Sequence, residues 1–378
     1  MGCCIVGCGK GLPALDVTND ELATLVDTSD EWISTRTGIR SRRISIEESS
    51  LDLAETAARQ ALGWEGALPG FEQQSAFAPE DIDLVLFATL TPDALLPSSA
   101  ALLRRRLGLV NAVSFDLNAA CSGFVYSLTV AEALMAASQA HVAGASGRNH
   151  YHRALVVGAE RLSRITNWQD RNTCVLFGDG AGAVVVEWRD DAPGIISSYI
   201  KNDDDTTNSL VCPASFDSSF VFDQNGVNEI AIQDPAALLA DASLDRIDEE
   251  LGVIEGVAAG EPRQSIRMDG QKVFKFAGNA LTNAVLEVLN RAELTLDDIA
   301  LIVPHQANER IIKYAAKKLG LSLDRFQISI EHRGNSSAAC VPMTLSDAYD
   351  SGKISPGDKV IMVAFGAGLT SGAVLYEA

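Results

Sequence analysis

No stretch of this sequence carries the roughly 18–20 consecutive apolar residues that a membrane-crossing helix requires. The first residues, MGCCIVGCGKGLP, lack a basic segment followed by a long apolar one, so they do not read as a secretory signal. MGCC invites a lipidation reading, but Val6 stands where the myristoylation pattern wants Ser or Thr, and Cys3 and Cys4 lie in what reads as a buried strand. Basic residues are few: 30 Lys and Arg stand against 50 Asp and Glu, a formal charge of −20. That excludes nucleic acid as a partner, because phosphates demand a basic surface. There are only five histidines, and none neighbours a cysteine at ligand spacing, so no metal site is expected. The seven cysteines are odd in number and show no CxxC pair; without export they should remain thiols. These absences lead us to expect a cytoplasmic protein with no membrane partner.

What is present is a long chain, 378 residues, enough for about two domains or one large doubled fold. The acidity is uneven. From Asp190 to Glu261, sixteen acidic side chains face two basic ones, Lys201 and Arg246, a balance of −14. The remainder is mildly acidic and can still carry a local basic patch.

The chain repeats itself. EDIDLVLFATLTPD (80–93) resembles DDIALIVPHQANE (297–309), and each leads into a helix ending in LGL. VSFDLNAACSG (113–123) pairs with FQISIEHRGNSSAAC (326–340), ALVVGAE (154–160) with KVIMVAFG (359–366), and FGDGAGAVVVE (177–187) with FGAGLTSGAVLYE (365–377). The strands are near-continuous Val, Ile and Leu runs, as in sheets covered on both faces. Strand and helix alternate, which predicts parallel βαβ units. The reading is an α/β protein of two similar halves, 1–188 and 189–378, the second carrying an acidic insertion at about 219–262. Within the insertion, 235–256 has helical apolar spacing and reads as a surface helix.

Symmetry of this kind brings equivalent loops together at the centre. Cys121 ends one strand and opens a helix, where backbone N–H groups and the helix dipole favour a thiolate and can hold an oxyanion. His305 ends the strand ALIVP at the matching place in the second half, and Asn335 follows another strand in HRGNSSAA. Taken singly, each has an ordinary reading: a buried core cysteine, a satisfied core histidine, a helix N-cap. Their equivalent placement is what points to chemistry. The glycine-rich GCGKGLP fails GxGxxG because position 12 is Leu, and no P-loop is present. FGDGAGA and FGAGLTSGA read as tight turns between strands.

DTSDEWISTRTGIRSRR (27–43), AACSGF (119–124), FGDGAGA (177–183), VPHQAN (303–308), RGNSSAA (333–339) and FGAGLTSGA (365–373) resemble β-ketoacyl-acyl-carrier-protein synthase III, a condensing enzyme of thiolase-like fold, in order and spacing from end to end. The resemblance implies a layered α-β-α-β-α arrangement and a decarboxylative condensation of an acyl-CoA primer, usually acetyl-CoA, with malonyl-ACP. Cys121 would carry the acyl group, and His305 and Asn335 would hold the malonyl thioester oxygen. Trp32, Arg36, Arg171 and Asn308 match CoA contacts. The backbone N–H groups of Cys121 and Ala367 match an oxyanion hole, with Ala where the family usually has Gly. Phe124 and Phe177 read as wall residues. Leu96 falls where some members place a Phe in the acyl pocket across a homodimer. Gln306, Arg310, Lys313, Lys317 and Lys318 form the face expected to meet acyl carrier protein, whereas Arg104, Arg105 and Arg106 read as ordinary solvated charge. No cofactor beyond the CoA thioester substrate is implied. A starter-condensing enzyme of secondary metabolism and a non-catalytic acyl-CoA-binding protein are the alternatives. The insertion and smaller extra pieces near 66–76 and 140–150 depart from the family pattern.

Overall fold

A computed structural model describes residues 2–71, 76–139, 150–213, 222–223, 226–227 and 265–378. The expected helix over 235–256, most of the insertion and much of the two smaller extra pieces lie outside the described residues.

The first half runs β1 (Gly2–Gly11), β2 (Leu15–Thr18), α1 (Asn19–Leu22), α2 (Asp30–Thr37), β3 (Ser41–Ile44), α3 (Ser50–Ala61), β4 (Leu84–Ala88), α4 (Ser99–Arg106), β5 (Val113–Leu117), α5 (Gly123–Gln139), β6 (Arg153–Arg161) and β7 (Asp179–Arg189). Then come β8 (Ile195–Asn202), β9 (Leu210–Val211), a short antiparallel pair β10 (Phe222–Asp223) and β11 (Gly226–Val227), and β12 (Arg267–Met268). The chain ends with α6 (Gly270–Ala292), β13 (Leu301–Pro304), α7 (Glu309–Leu319), α8 (Cys340–Asp350), β14 (Lys359–Gly366) and β15 (Thr370–Glu377).

Two sheets carry the duplication. One has the order β1-β7-β6-β4-β5, the other β8-β15-β14-β13. A parallel bridge from Ile302 to Phe326 stands where β5 stands in the first sheet. Outer helices α3 and α4 cover one sheet, α6 and α7 cover the other, and α5 and α8 lie between them. The architecture is the expected thiolase-like stack of five layers. Its sheets are mixed rather than wholly parallel. β4, β5 and β6 are parallel, as are β13 and β14, but β1, β7, β8 and β15 run antiparallel to their neighbours. The reason lies in the connections: β6 to β7 and β14 to β15 have no crossover helix, and a strand returned directly must run backwards.

One helical stretch among the described residues, Ala120–Gln139, is long and apolar enough by composition to cross a membrane, although Glu132 and several hydroxyl residues interrupt it. Phe124, Val125, Leu128, Ala131 and Met135 on it are fully buried in the central core, and that core accounts for its apolarity.

The two glycine-rich segments differ. FGAGLTSGA turns from β14 to β15, with Gly368 at φ 67° and Leu369 at φ 46°. FGDGAGA does not turn; from Asp179 it is strand β7. Its glycines serve close approach: a Cβ at Gly178 would lie 2.2 Å from the Arg333 carbonyl oxygen, and one at Gly182 would lie 2.6 Å from Met343 N. The two halves could not press together there with side chains between them.

Candidate active site

The turn bearing Cys121 is a single 3-10 turn, Ala120–Ser122, before α5 begins at Gly123. Ala120 has φ 46°, a left-handed value that is strained for a residue with a Cβ. The second half repeats the arrangement: Ser337 has φ 49° and opens the turn Ser337–Ala339 before α8. Two matching strained elbows meet at the centre of the molecule.

Cys121, His305 and Asn335 all line one cavity of about 820 Å³. His305 comes from the end of β13, where its N–H donates to the Val363 carbonyl at 2.8 Å, and its ring meets Phe365 edge-on at 5.2 Å. Only 1% of it is exposed. Burial pushes the imidazole down to about 3, so it is neutral at working pH. Its Nδ1 is buried and has no hydrogen-bond partner among the described residues.

Asn335 is held from both sides. Its N–H donates to the Leu176 carbonyl at 2.8 Å, and its own carbonyl accepts from Gly178 N at 2.9 Å. The side-chain Oδ1 accepts from Ser337 N at 2.9 Å and from the Cys340 thiol at 3.7 Å. Both contacts are donors to oxygen, which fixes the amide orientation and leaves the NH2 group as the donor for a ligand.

Cys121 departs from expectation in one respect. Its position at the start of a helix suggested a thiolate, but burial pushes the thiol up to about 12, outweighing the Ser337 hydroxyl and backbone N–H that oppose the rise. Part of its surface opens onto the cavity, yet protein atoms crowd it closely enough that desolvation dominates. Cys121 therefore rests as a thiol. The N–H groups of Cys121 and Ala367 make no hydrogen bond to another residue among the described residues, so both are free to meet a ligand. They are near neighbours, since a Cβ on Gly366 would lie 2.8 Å from Cys121 N.

At the mouth, Arg36 and Arg171 place their guanidinium carbons 4.6 Å and 4.9 Å from the Trp32 ring, making a flat cationic platform. Arg171 is held by the Asp27 carbonyl at 2.8 Å. Asn308 lines the opposite side while its Oδ1 caps α7 through Arg310 N at 2.9 Å. Phe177 is a wall residue as expected; Phe124 is not, being wholly within the central core. Leu96 does not line this chain's own cavity and is 88% exposed.

On α7, Arg310, Lys313, Lys317 and Lys318 are exposed together. Gln306 does not join them. It is 1% exposed, its Nε2 donates to the Pro304 and Gln327 carbonyls, and its Oε1 accepts from Ser329 N and Ile330 N. It ties β13 to the following loops and has nothing left for a partner. Sequence reasoning missed the wall formed by Leu210 on β9, Met268 on β12, and Phe274 and Phe276 at the start of α6. The apolar spacing in VFKFAGNAL was its only signal. No group of three or more His, Cys, Asp or Glu side chains at metal-holding spacing occurs among the described residues.

Residues 115–204 match the family described as 3-oxoacyl-[acyl-carrier-protein (ACP)] synthase III, and residues 289–378 match that family's C-terminal part. The chain is 42% identical over 374 residues to the β-ketoacyl-[acyl-carrier-protein] synthase III of Clostridium beijerinckii, covering 99% of this chain and 98% of that protein. Among solved structures, the 3-oxoacyl-[acyl-carrier-protein] synthase III of Aquifex aeolicus aligns with a TM-score of 0.78 at 35% identity over 100% of both chains. The corresponding enzyme of Thermus thermophilus aligns with a TM-score of 0.78 at 36% identity over 99% of each.

Proposed function

From the premise that this chain belongs to the 3-oxoacyl-[acyl-carrier-protein] synthase III family, a family of condensing acyltransferases, we propose that Cys121, His305 and Asn335 carry its reaction, the condensation that initiates fatty acid synthesis. The observation that supports this most is that the three side chains, from different strand ends of two halves, share one cavity. Cys121 attacks the thioester of an acyl-CoA primer, acetyl-CoA being the first choice, and becomes acylated as CoA leaves. Malonyl-ACP then loses CO2, and its electron pair remains as an enolate. Neutral His305 and the Asn335 NH2 donate to the enolate oxygen. Two neutral donors in a dry cavity suffice, because they are already aimed and reorganise little. The enolate carbon attacks the acyl-cysteine, and the product is a 3-oxoacyl-ACP. Decarboxylation supplies the driving force, so the cycle balances without metal, nicotinamide or flavin.

Trp32, Arg36, Arg171 and Asn308 form the CoA side of the mouth, with the Cys121 and Ala367 amides as oxyanion donors. Acyl carrier protein docks on the exposed Arg310, Lys313, Lys317 and Lys318, a basic stripe on a chain of −20. The enzyme is a homodimer through the β5 edge, which brings Leu96 to the partner's acyl pocket, and it works in the cytoplasm.

Radiolabelled acetyl-CoA tests the nucleophile: wild type takes up a thioester label, and Cys121→Ser does not. His305→Ala and Asn335→Ala should lose condensation by about 10²-fold or more while still accepting the label. Equal loss of both half-reactions would break the division of labour.

A further inference from the structure

Behind Cys121, on the side away from the cavity mouth, lies a carboxyl group the mechanism above does not use. Glu160, at the end of β6, is completely buried and forms no ion pair among the described residues. Its Oε2 is well served: Thr91 Oγ donates at 2.5 Å, Thr89 Oγ at 3.1 Å, and Thr91 N and Leu90 N at 3.2 Å. Its Oε1 accepts only from Leu90 N, at 3.2 Å. Ser337 connects this carboxyl to the nucleophile. The turn Ser337–Ala339 packs against both β6 and the Ala120–Ser122 turn, which sets the Ser337 hydroxyl beside the Cys121 thiol and the Glu160 carboxyl, yet it is buried without a hydrogen bond of good geometry to either. The strained φ of 49° holds it there while its N–H anchors Asn335. A strained serine with a spare buried hydroxyl between a thiol and a half-used carboxylate is an expensive arrangement for packing alone.

We propose that Glu160, acting through the Ser337 hydroxyl, receives the Cys121 proton during acyl transfer and returns it during condensation. This rests on Cys121 being the nucleophile. As the Cys121 sulfur bonds to the thioester carbonyl carbon, its S–H proton passes to Ser337 Oγ, and the Ser337 proton passes to the Glu160 carboxylate. Collapse of the adduct breaks the carbon–sulfur bond to CoA, and the departing CoA thiolate is protonated by water. In condensation the enolate carbon displaces the Cys121 sulfur, which recovers the proton by the reverse path. Burial raises the Glu160 carboxyl to about 7, where a proton acceptor works best near neutral pH. The titratable groups bearing on Cys121 are Glu160 and Cys340; Glu160 itself is met by the Thr89, Thr91 and Ser337 hydroxyls and the Leu90 N–H, none of which titrates near neutral pH.

Single-turnover acylation by acetyl-CoA, followed by mass spectrometry from pH 5.5 to 9, tests the relay. Wild type should speed up through the titration of Glu160 near pH 7. Glu160→Gln and Ser337→Ala should each slow acylation by about 10²-fold and lose that rise. The direction is decisive, because the Glu160 charge by itself opposes ionisation of Cys121. If electrostatics were its whole role, Glu160→Gln would acylate faster. A wild-type or faster rate in either folded variant overturns the relay. Should Glu160→Gln not fold, Ser337→Ala decides alone, since it deletes one oxygen and keeps the N–H on Asn335. A wild type that never acylates counts against Cys121 as nucleophile, not against the relay.

Discussion

His305 sits sealed in protein with its imidazole pushed down to about 3. Two consequences belong to this residue. The His305-dependent decarboxylation of malonyl thioester should be flat from pH 5 to 8 as far as this group is concerned, which a stopped assay of CO2 release can check. Stability should not be flat. Between the ordinary histidine value near 6.5 and about 3, the unfolded chain binds a proton that the folded protein refuses, so stability falls as pH drops. The loss between pH 7 and 5 is about 2 kcal/mol. Urea unfolding of wild type and His305→Gln should show this slope in the first and lack it in the second; equal slopes would mean that the ring is solvated. The raised Glu160 carboxyl acts oppositely, since the folded state holds its proton to higher pH, and the comparison with His305→Gln isolates the histidine. Sequence placed Cys121, His305 and Asn335 by position in a repeat. It could not give their ionisation, which burial sets, and it predicted a thiolate where desolvation makes a thiol.

The elements that shape the mouth meet at Gly38, the left-handed residue ending α2 at φ 80°. A Cβ there would lie 2.6 Å from the Glu309 Cβ on α7. Gly38 thus sets how closely the Trp32–Arg36 platform approaches Asn308 and Arg310. Gly38→Ala should cost about 1–2 kcal/mol and raise KM for acyl-CoA more than it lowers kcat. A change in kcat alone would mean that α2 does not hold the CoA. Element boundaries were legible where periodicity was strong, as in α7. FGDGAGA was not, because its glycines answer to backbone from another part of the chain, at Arg333 and Met343, and nothing local marks that. Gln306 was misread as a surface residue for a similar reason: its neighbours in sequence begin a helix with an exposed basic face, whereas its partners at Gln327, Ser329 and Ile330 lie 21 to 24 residues on.

For the whole molecule, the two sheet edges differ. At β13 the outer place is taken by buried Phe326, but at β5 the edge is open, with Val113 41% and Phe115 37% exposed and Leu95 and Leu96 beside it more so. A bare apolar edge strand invites pairing. Phe115→Lys should convert the proposed dimer to monomers by light scattering and impair primer binding with it; a monomeric wild type at micromolar concentration would contradict that assembly. The charge of −20 matters at this scale too. A carrier protein that is itself acidic would meet a chain of this charge only through a local basic surface. Lys317→Glu should raise KM for malonyl-ACP by about fivefold, more at low salt, with acetyl-CoA acylation little changed. An unchanged KM would remove α7 from the docking surface.

The sequence by itself determined the duplication, the family and the order of strand ends at which the chemistry sits, because buried Val, Ile and Leu runs and glycine turns are local signals repeated in two halves. Only the tertiary structure decided which polar side chains share the dry interior. Glu160 lies beside Ser337, and Ser337 beside Cys121, across more than a hundred residues of chain. Desolvation depends on everything packed around a group, and no spacing within the sequence records it.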